Sequence, residues 1–338
     1  MTYTKQEGRF LSADNETEVY YAVYRPQGNP KAIVQICHGM YEYIERYEKE
    51  GTVEALTSAG LIVCGNDHLG HGRTVSGDKS LGHFHSYRNA VDDLHTLNGI
   101  LRKTYPRLPY LLFGHSMGSL LAREYMVNYE DIDGVALCGT VNGNQPTGLG
   151  TALAKLFSFF CGAQTPAPLL RRLSHAGYNK AFAKEENLYS WISSDPSARA
   201  RYAADRYCTS PFTCAGYREV FSLLGRVSAE DWITRVPLSL PILLLSGEAD
   251  PVGDNGESAR ELYQCLEERE VNALDLKLYP NARHELLHEF CRETVIADLL
   301  AWIDEVIAGV IACRSYESIP FGRTDFRYEK TVDGYRLR

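Results

Sequence analysis

Tyr110-Leu111-Leu112-Phe113-Gly114-His115-Ser116-Met117-Gly118-Ser119-Leu120-Leu121-Ala122-Arg123-Glu124-Tyr125-Met126 joins an apolar run to a helical pattern with a single turn between them. The run Tyr110 to Phe113 reads as a buried strand and Ser119 to Met126 as a helix. The turn, Gly114 to Gly118, matches G-x-S-x-G. A strand that passes this directly into a helix bends so tightly that only glycine fits two residues either side of the serine. The bend exposes the serine hydroxyl at the end of the strand. The helix beginning there points backbone N–H groups at any oxyanion that forms.

The pattern around this stretch alternates. Ala32-Ile33-Val34-Gln35-Ile36-Cys37, Leu61-Ile62-Val63-Cys64 and Val135-Ala136-Leu137-Cys138 read as further buried strands, with helical patterns of ordinary length between later members. Residues 8 to 25 alternate polar and apolar, as in Glu18-Val19-Tyr20-Tyr21-Ala22-Val23-Tyr24, and end at Arg25-Pro26-Gln27-Gly28-Asn29-Pro30, which predicts an antiparallel hairpin at a sheet edge. Strands alternating with helices predict βαβ units and a mostly parallel sheet. From Asn142 to Trp232 no strand pattern occurs, only short helical stretches broken by Gly and Pro. Alternation resumes at Pro241-Ile242-Leu243-Leu244-Leu245-Ser246-Gly247 and at Leu274-Asp275-Leu276-Lys277-Leu278-Tyr279, followed by a helix from Thr294 to Cys313. The expected organisation is one α/β core, 1–141 and 235–313, with a helical insertion at 142–234 and a polar extension at 314–338 that is peripheral or partly ordered.

Composition bounds the rest. The 338 residues suffice for one large domain with an insertion. A net charge of −8 and a pI near 5.7 argue against nucleic-acid binding or bulk-charge attraction to anionic membranes. Met1 to Gly8 is polar with no apolar segment behind it, so a signal peptide is not expected. No run reaches the length of a membrane span. Nine cysteines lack any C-x-x-C pair, and Cys37, Cys64 and Cys138 sit inside strand patterns. They read as reduced thiols, which predicts a cytoplasmic protein.

Ser116 needs a base to take its proton, an acid to orient that base, and donors for an oxyanion. Asp250, in Ser246-Gly247-Glu248-Ala249-Asp250-Pro251-Val252, follows one strand. His284, in Pro280-Asn281-Ala282-Arg283-His284-Glu285-Leu286, follows the next. The chain order Ser, Asp, His, with each residue after a strand, places all three where open α/β sheets build sites. Glu248 and Asp254 are less well placed alternatives to Asp250. The oxyanion donors are expected at the backbone of Met117, after the serine, and of Met40, in Cys37-His38-Gly39-Met40. His38 precedes the serine and is assigned a structural role. His284-Glu285-Leu286-Leu287-His288 also matches the zinc signature H-E-x-x-H, with Asp304 or Glu305 as a third ligand. That signature needs both histidines on one helix face, whereas Pro280-Asn281 keeps His284 in a loop. No metal is therefore assigned, and His288 is expected at the surface or a pocket rim. His68, His71, His83 and His85, with Asp67 and Asp78, are read as loop chemistry around Gly70, Gly72 and Gly77.

These stretches resemble the monoglyceride lipase and lysophospholipase group of α/β-hydrolases, which includes sequences termed serine aminopeptidase S33. His38-Gly39-Met40-Tyr41-Glu42-Tyr43-Ile44-Glu45-Arg46-Tyr47 resembles H-G-x-x-E-H-x-x-R-Y. Asp67 to Thr74 resembles D-x-x-G-H-G-x-S, Gly247 to Val252 resembles G-x-x-D-x-V, and Ala282 to Glu285 resembles A-x-H-E. The resemblance covers about residues 10 to 310. It implies an eight-stranded α/β-hydrolase sheet with helices on both faces, a Ser-Asp-His esterase needing no cofactor, and a helical cap over an acyl cleft. It also implies that Glu42 and Arg46 shape the site for the alcohol of a monoglyceride; as residues alone, i and i+4 could equally be an exposed helix ion pair. Tyr43 stands where the family has His, and Met40 where a small residue is common.

The expected reaction is hydrolysis of monoacylglycerol, lysophospholipid or related acyl esters. Leu149, Leu153 and Phe157, in an apolar stretch with Leu156, Phe159 and Phe160, are expected to line the acyl pocket, or to pack cap on core. An exposed apolar face there would touch a membrane surface transiently. Two rivals share the fold: an amidase or aminopeptidase, with Glu185, Glu186 or Asp205 holding a substrate amine, and a binding protein without catalysis. Oligomeric state carries no signal in the sequence.

Overall fold

The computed structural model describes residues 3–75, 81–142, 152, 154, 159, 162–317, 328–331 and 334–337. Its centre is an eight-stranded sheet: β1 Tyr3–Leu11, β2 Glu18–Pro26, β3 Ala32–Cys37, β4 Leu61–Asn66, β5 Tyr110–His115, β6 Gly134–Cys138, β7 Ile242–Gly247 and β8 Leu274–Tyr279, in the order β1-β2-β4-β3-β5-β6-β7-β8. The β1–β2 hairpin joins antiparallel, β2 to β4 likewise, and every pairing from β4 across to β8 is parallel. The expected α/β-hydrolase sheet is thus present, with the hairpin at its edge.

The continuous apolar runs are explained by helices on both faces. Helices α1 Ile44–Lys49, α2 Thr52–Ser58, α3 Tyr87–Thr104 and α4 Met117–Met126 follow successive strands; α5 Pro168–Ser174, α6 Pro196–Ala204 and α7 Cys214–Val227 lie in the insertion; α8 Glu257–Glu268 and α9 Arg292–Glu317 complete the core. Strand side chains alternate between the two layers. Ile33, Leu112, Leu137 and Leu244 pack with Leu94 and Leu97 of α3, Leu120 and Leu121 of α4 and Leu262 of α8. Val34, Leu111, Phe113, Leu243 and Leu245 pack with Val53 and Leu56 of α2 and Val295, Leu299 and Trp302 of α9. At about 1.5–3 kcal/mol for each fully buried aliphatic side chain, these layers hold the carboxyl ends of β3, β5, β7 and β8 at one rim of the sheet.

Two elements depart from expectation. The last helix extends beyond 294–313, at both ends. Within the polar extension, Tyr328–Thr331 and Gly334–Leu337 pair antiparallel as β9 and β10, apart from the main sheet. Between β6 and β7 the described residues form helices and turns, joined by one bridge, Pro166 to Thr213. Leu149, Leu153 and Phe157 lie outside the described residues. Among the described residues no helix is long and apolar enough to cross a membrane.

Candidate active site

The elbow is as tight as its glycines require. Ser116 alone separates β5 from α4, at φ 52° and ψ −121°, a strained conformation for a residue with a Cβ. A Cβ on Gly118 would lie 1.9 Å from the Cys37 carbonyl oxygen, and one on Gly114 2.6 Å from the Gly118 oxygen. The Ser116 amide donates to the Cys138 carbonyl at 2.9 Å, pinning the turn to β6.

Ser116, His284 and Asp250 converge from three strand ends. His284 Nε2 is 2.8 Å from Ser116 Oγ, and His284 Nδ1 is 2.9 Å from Asp250 Oδ2. Asp250 is fully buried and also accepts the Val252 N–H at 2.9 Å. These contacts require Nδ1–H to donate to the carboxylate, which leaves the Nε2 lone pair on the serine hydroxyl. Glu248, by contrast, pairs outward with Arg260. Met117 opens α4 directly after Ser116, and Met40 follows Gly39 in the loop after β3. A Cβ on Gly39 would stand 3.2 Å from Ser116 Cβ, so this loop passes directly beside the serine.

Glu42 and Arg46 are buried rather than an exposed pair, at 2% and 4% exposure. Arg46 Nη1 donates to Glu42 Oε1 at 2.7 Å, and its two terminal nitrogens fork onto Glu285 at 2.8 and 2.6 Å. His115 Nδ1 lies 2.9 Å from Glu42 Oε2, and its Nε2 lies 3.3 Å from the His284 carbonyl oxygen. Both contacts are made when both ring nitrogens donate. Burial opposes that cation, but the Glu42 carboxylate outweighs it and raises the His115 pKa above its ordinary value. Glu42 and Glu285 pay desolvation, yet the facing cations hold both below the usual carboxylate range.

The zinc pattern does not assemble. His284 spends both nitrogens on Ser116 and Asp250, and Leu286–His288 is a single 3₁₀ turn. Glu42, Glu285 and His288 do come within metal-ligand range of one another, but the Arg46 guanidinium already bridges the two carboxylates. His288 is a correction: it is buried at 5%, with Nδ1 3.1 Å from Glu285 Oε2, because the chain after His284 folds under the site.

Neutral histidines support the other side of the oxyanion loop. His38 Nδ1 donates to the Gly39 carbonyl at 2.9 Å and its Nε2 accepts the His68 N–H at 3.0 Å, an arrangement only the neutral ring satisfies. The His38 and His68 rings lie 3.9 Å apart, and His71 closes on both. Burial pushes His71 to about 4, and burial with repulsion from neighbouring histidines pushes His38 well below its ordinary pKa and His68 to about 3. Asp67 accepts the Ile44 and Arg73 amides at 2.8 and 2.6 Å. His83 and His85 contact each other at the rim, Nε2 to Nε2 at 3.0 Å; Asp78 lies outside the described residues.

Rings from the stretch between β6 and β7 pack against the site, with Tyr41 and Tyr43 of the loop after β3 beside them. Trp191 lies 5.5 Å from the His284 ring, backed by His175 and Tyr178. Tyr41, at φ 65°, stacks edge-on to Phe212 and its hydroxyl meets that of Tyr217 at 2.9 Å. Tyr43 is buried, its hydroxyl donating to Asp205 at 2.5 Å. Residues 190–194 are stitched to the histidine loop. The amides of His284 and Glu285 donate to the Trp191 and Ile192 carbonyls at 3.4 and 2.8 Å. Ser193 Oγ donates to the His288 carbonyl at 2.7 Å, and Ser194 N to Glu289 at 2.8 Å. Arg283 donates to the Ser190 carbonyl at 2.6 Å, pairs with Glu185 and lies over Phe182. A groove of about 800 Å³, lined by Leu81, His85, Thr165, Arg206, Pro211 and Thr213, opens between the insertion and the core, and no triad residue lines it.

Nothing in the spacing marks His115, Trp191 or Arg283 as functional positions, and Glu285 enters only through the H-E-x-x-H and A-x-H-E patterns. The neighbouring letters of H-E and G-H-S-M-G were the available signal; spacing alone does not show that they meet.

The family model described as serine aminopeptidase, S33, matches residues 28–290. A monoacylglycerol lipase of Mycolicibacterium smegmatis is 28% identical over 306 residues, covering 89% of this chain and 97% of that protein. A monoglyceride lipase of Rattus norvegicus is 28% identical over 308 residues, with coverages of 88% and 90%. The crystal structure of a thermostable carboxyl esterase from Bacillus coagulans, in complex with glycerol, superposes with a TM-score of 0.83 at 29% identity, covering 90% of this chain and 99% of that one. The chain belongs to the serine aminopeptidase S33 family of α/β-hydrolases, together with the monoglyceride lipases it matches.

Proposed function

We propose that this chain is a serine carboxylic-ester hydrolase that cleaves monoacylglycerols. The observation that carries the reading is the unbroken relay Asp250–His284–Ser116 at 2.9 and 2.8 Å on a strained elbow. His284 takes the Ser116 proton as Oγ attacks the ester carbonyl, while Asp250 orients the ring and stabilises the imidazolium. The Met40 and Met117 N–H groups receive the oxyanion. Collapse expels the alcohol with the proton from His284, and water repeats the sequence to release the acid. Relatives named as monoacylglycerol and monoglyceride lipases support glycerol monoesters as the substrate class; lysophospholipids are the second ester class to compare.

Of the three carboxylates that an aminopeptidase would turn toward a substrate amine, Glu185 and Asp205 are engaged elsewhere, which favours the ester. Glu185 pairs with Arg283 and Arg199. Asp205 accepts the Tyr43 hydroxyl and the Tyr207 amide. The buried, unbridged Cys37, Cys64, Cys138 and Cys208 suit a reducing cytoplasm. Leu169, Leu173 and Leu188, exposed by 48%, 52% and 68% on the insertion, suit passing contact with a lipid surface.

The test is a series of p-nitrophenyl esters and monoacylglycerols of rising chain length, on wild type and Ser116→Ala. Turnover that disappears in the folded variant is expected. Activity that survives it, or an amide cleaved faster than the matching ester, defeats the reading.

A further inference from the structure

We propose that Glu42 is a positioning residue for the oxyanion loop and does not itself contact the substrate's alcohol; this rests on the ester-hydrolase reading. A carboxylate offers about four acceptor positions, and four donors converge on Glu42, three of them on one oxygen. Oε2 accepts the Gly39 N–H at 2.6 Å, His115 Nδ1–H at 2.9 Å and the Tyr47 hydroxyl at 3.0 Å, and Oε1 accepts Arg46 Nη1–H at 2.7 Å. The side chain is 2% exposed, so the acceptor position that Oε1 retains is closed to a glycerol hydroxyl.

What Glu42 holds is adjacent to each group that acts. Gly39 precedes Met40, whose amide receives the oxyanion. His115 precedes Ser116. Arg46 carries the connection to Glu285, which follows His284. One buried side chain thereby joins the loops after β3, β5 and β8. The charges close as well: the carboxylates of Glu42 and Glu285 face the guanidinium of Arg46 and the doubly donating His115. A Cβ on Gly39 would lie 2.7 Å from Glu42 Oε2, so the carboxylate fixes the loop at contact distance.

Glu42→Gln preserves shape but not acceptors. Its amide nitrogen must face either the Gly39 N–H or the Arg46 guanidinium, donor against donor, and the oxyanion loop shifts. Displacements of about 1 Å near reacting atoms cost on the order of a hundredfold in rate. The test compares p-nitrophenyl butyrate with glycerol monobutyrate, which share an acyl group and differ in alcohol. The expected result is a fall in kcat of about a hundredfold on both esters, by the same factor, with KM within threefold. Butylboronic acid, whose tetrahedral adduct places an oxygen in the oxyanion site, should bind more weakly by a similar factor. The low-field proton signal of the His284–Asp250 hydrogen bond should stay in place.

A loss confined to the glycerol ester makes Glu42 an alcohol contact and overturns the proposal. So does loss of the low-field signal together with the thermal transition, which marks a merely structural role, and so does unchanged kcat. Where Glu42→Gln fails to fold, Tyr47→Phe removes one donor from Oε2 and keeps the charge. It is then expected to cost about threefold equally on both esters, and an unequal or absent loss overturns the proposal. Wild type without turnover of either ester instead overturns the hydrolase reading, and the oxyanion role falls with it; that result is visible before any variant is made.

Discussion

The two sides of the candidate site are held by different physics. On the core side, loops at the carboxyl ends of β3, β5, β7 and β8 are fixed by buried polar groups, either compensated charges (Glu42, Arg46, Glu285, His115) or enforced neutrality (His38, His68, His71). On the insertion side, contact is made by rings, Trp191, His175, Tyr178 and Phe212, while Leu169, Leu173 and Leu188 face solvent. Hydrogen bonds and ion pairs in a low-dielectric interior prescribe direction and distance. Ring contacts prescribe shape with little direction. The first kind suits groups that must align with reacting atoms, and the second suits a wall against a varied acyl ester. Residues 190–194 cross this division: they belong to the insertion by sequence but are bonded to the histidine loop like part of the core.

The comparison breaks first if the core side tolerates polar loss. Asp250→Asn keeps the volume and leaves the His284 tautomer wrong, and kcat should fall by about 10⁴-fold with an intact fold, read by steady-state kinetics beside circular dichroism. A fall under tenfold would mean the relay is not what aligns His284.

Enforced neutrality makes the next prediction. His38, His68 and His71 have folded pKa values below the ordinary 6.5 of an unfolded chain. They are neutral when folded and protonated when unfolded at pH 5, so unfolding takes up protons. Their contribution to stability is present above pH 6.5 and is lost as the pH falls from there toward about 3. Three such groups give a slope of up to about 4 kcal/mol per pH unit. Urea midpoints measured from pH 7 to 5 should show it, and His68→Asn should flatten the slope by about one proton.

The crossing segment is tested by Arg283→Met. Removing the guanidinium leaves Glu185 with Arg199 and strips the Ser190 carbonyl of its donor. Stability should fall by about 1–3 kcal/mol, and kcat by several-fold through the attached His284 loop. Loss of stability with unchanged kcat would return residues 190–194 to the insertion side. The smallest effect is expected on the outer face. Leu169→Ser with Leu173→Ser should leave p-nitrophenyl butyrate hydrolysis within about twofold and slow turnover of vesicle-borne monoacylglycerol several-fold. Equal effects on both would remove the distinction between wall and surface.

Much of the framework was legible because it depends on local rules. Period-two and continuous apolar runs marked the sheet. Gly114 and Gly118 marked the elbow, since a Cβ at either would strike backbone. The order Ser116, Asp250, His284 at strand ends marked three residues that the fold does bring together. His288 was misread because its burial depends on how the chain turns beneath the site, and Glu42–Arg46 was ambiguous because i, i+4 spacing is the same whether the helix face is wet or dry.

Strand order along one chain, strained turn chemistry and the residue types at strand ends were therefore determined by the sequence itself, because each is enforced within a few residues. The tertiary structure alone decided which buried charges meet. Glu285 reaches Arg46 across 239 positions and His115 reaches Glu42 across 73. Such pairs form only after the parallel sheet aligns its loops, and only there, out of water, does desolvation make their compensation compulsory.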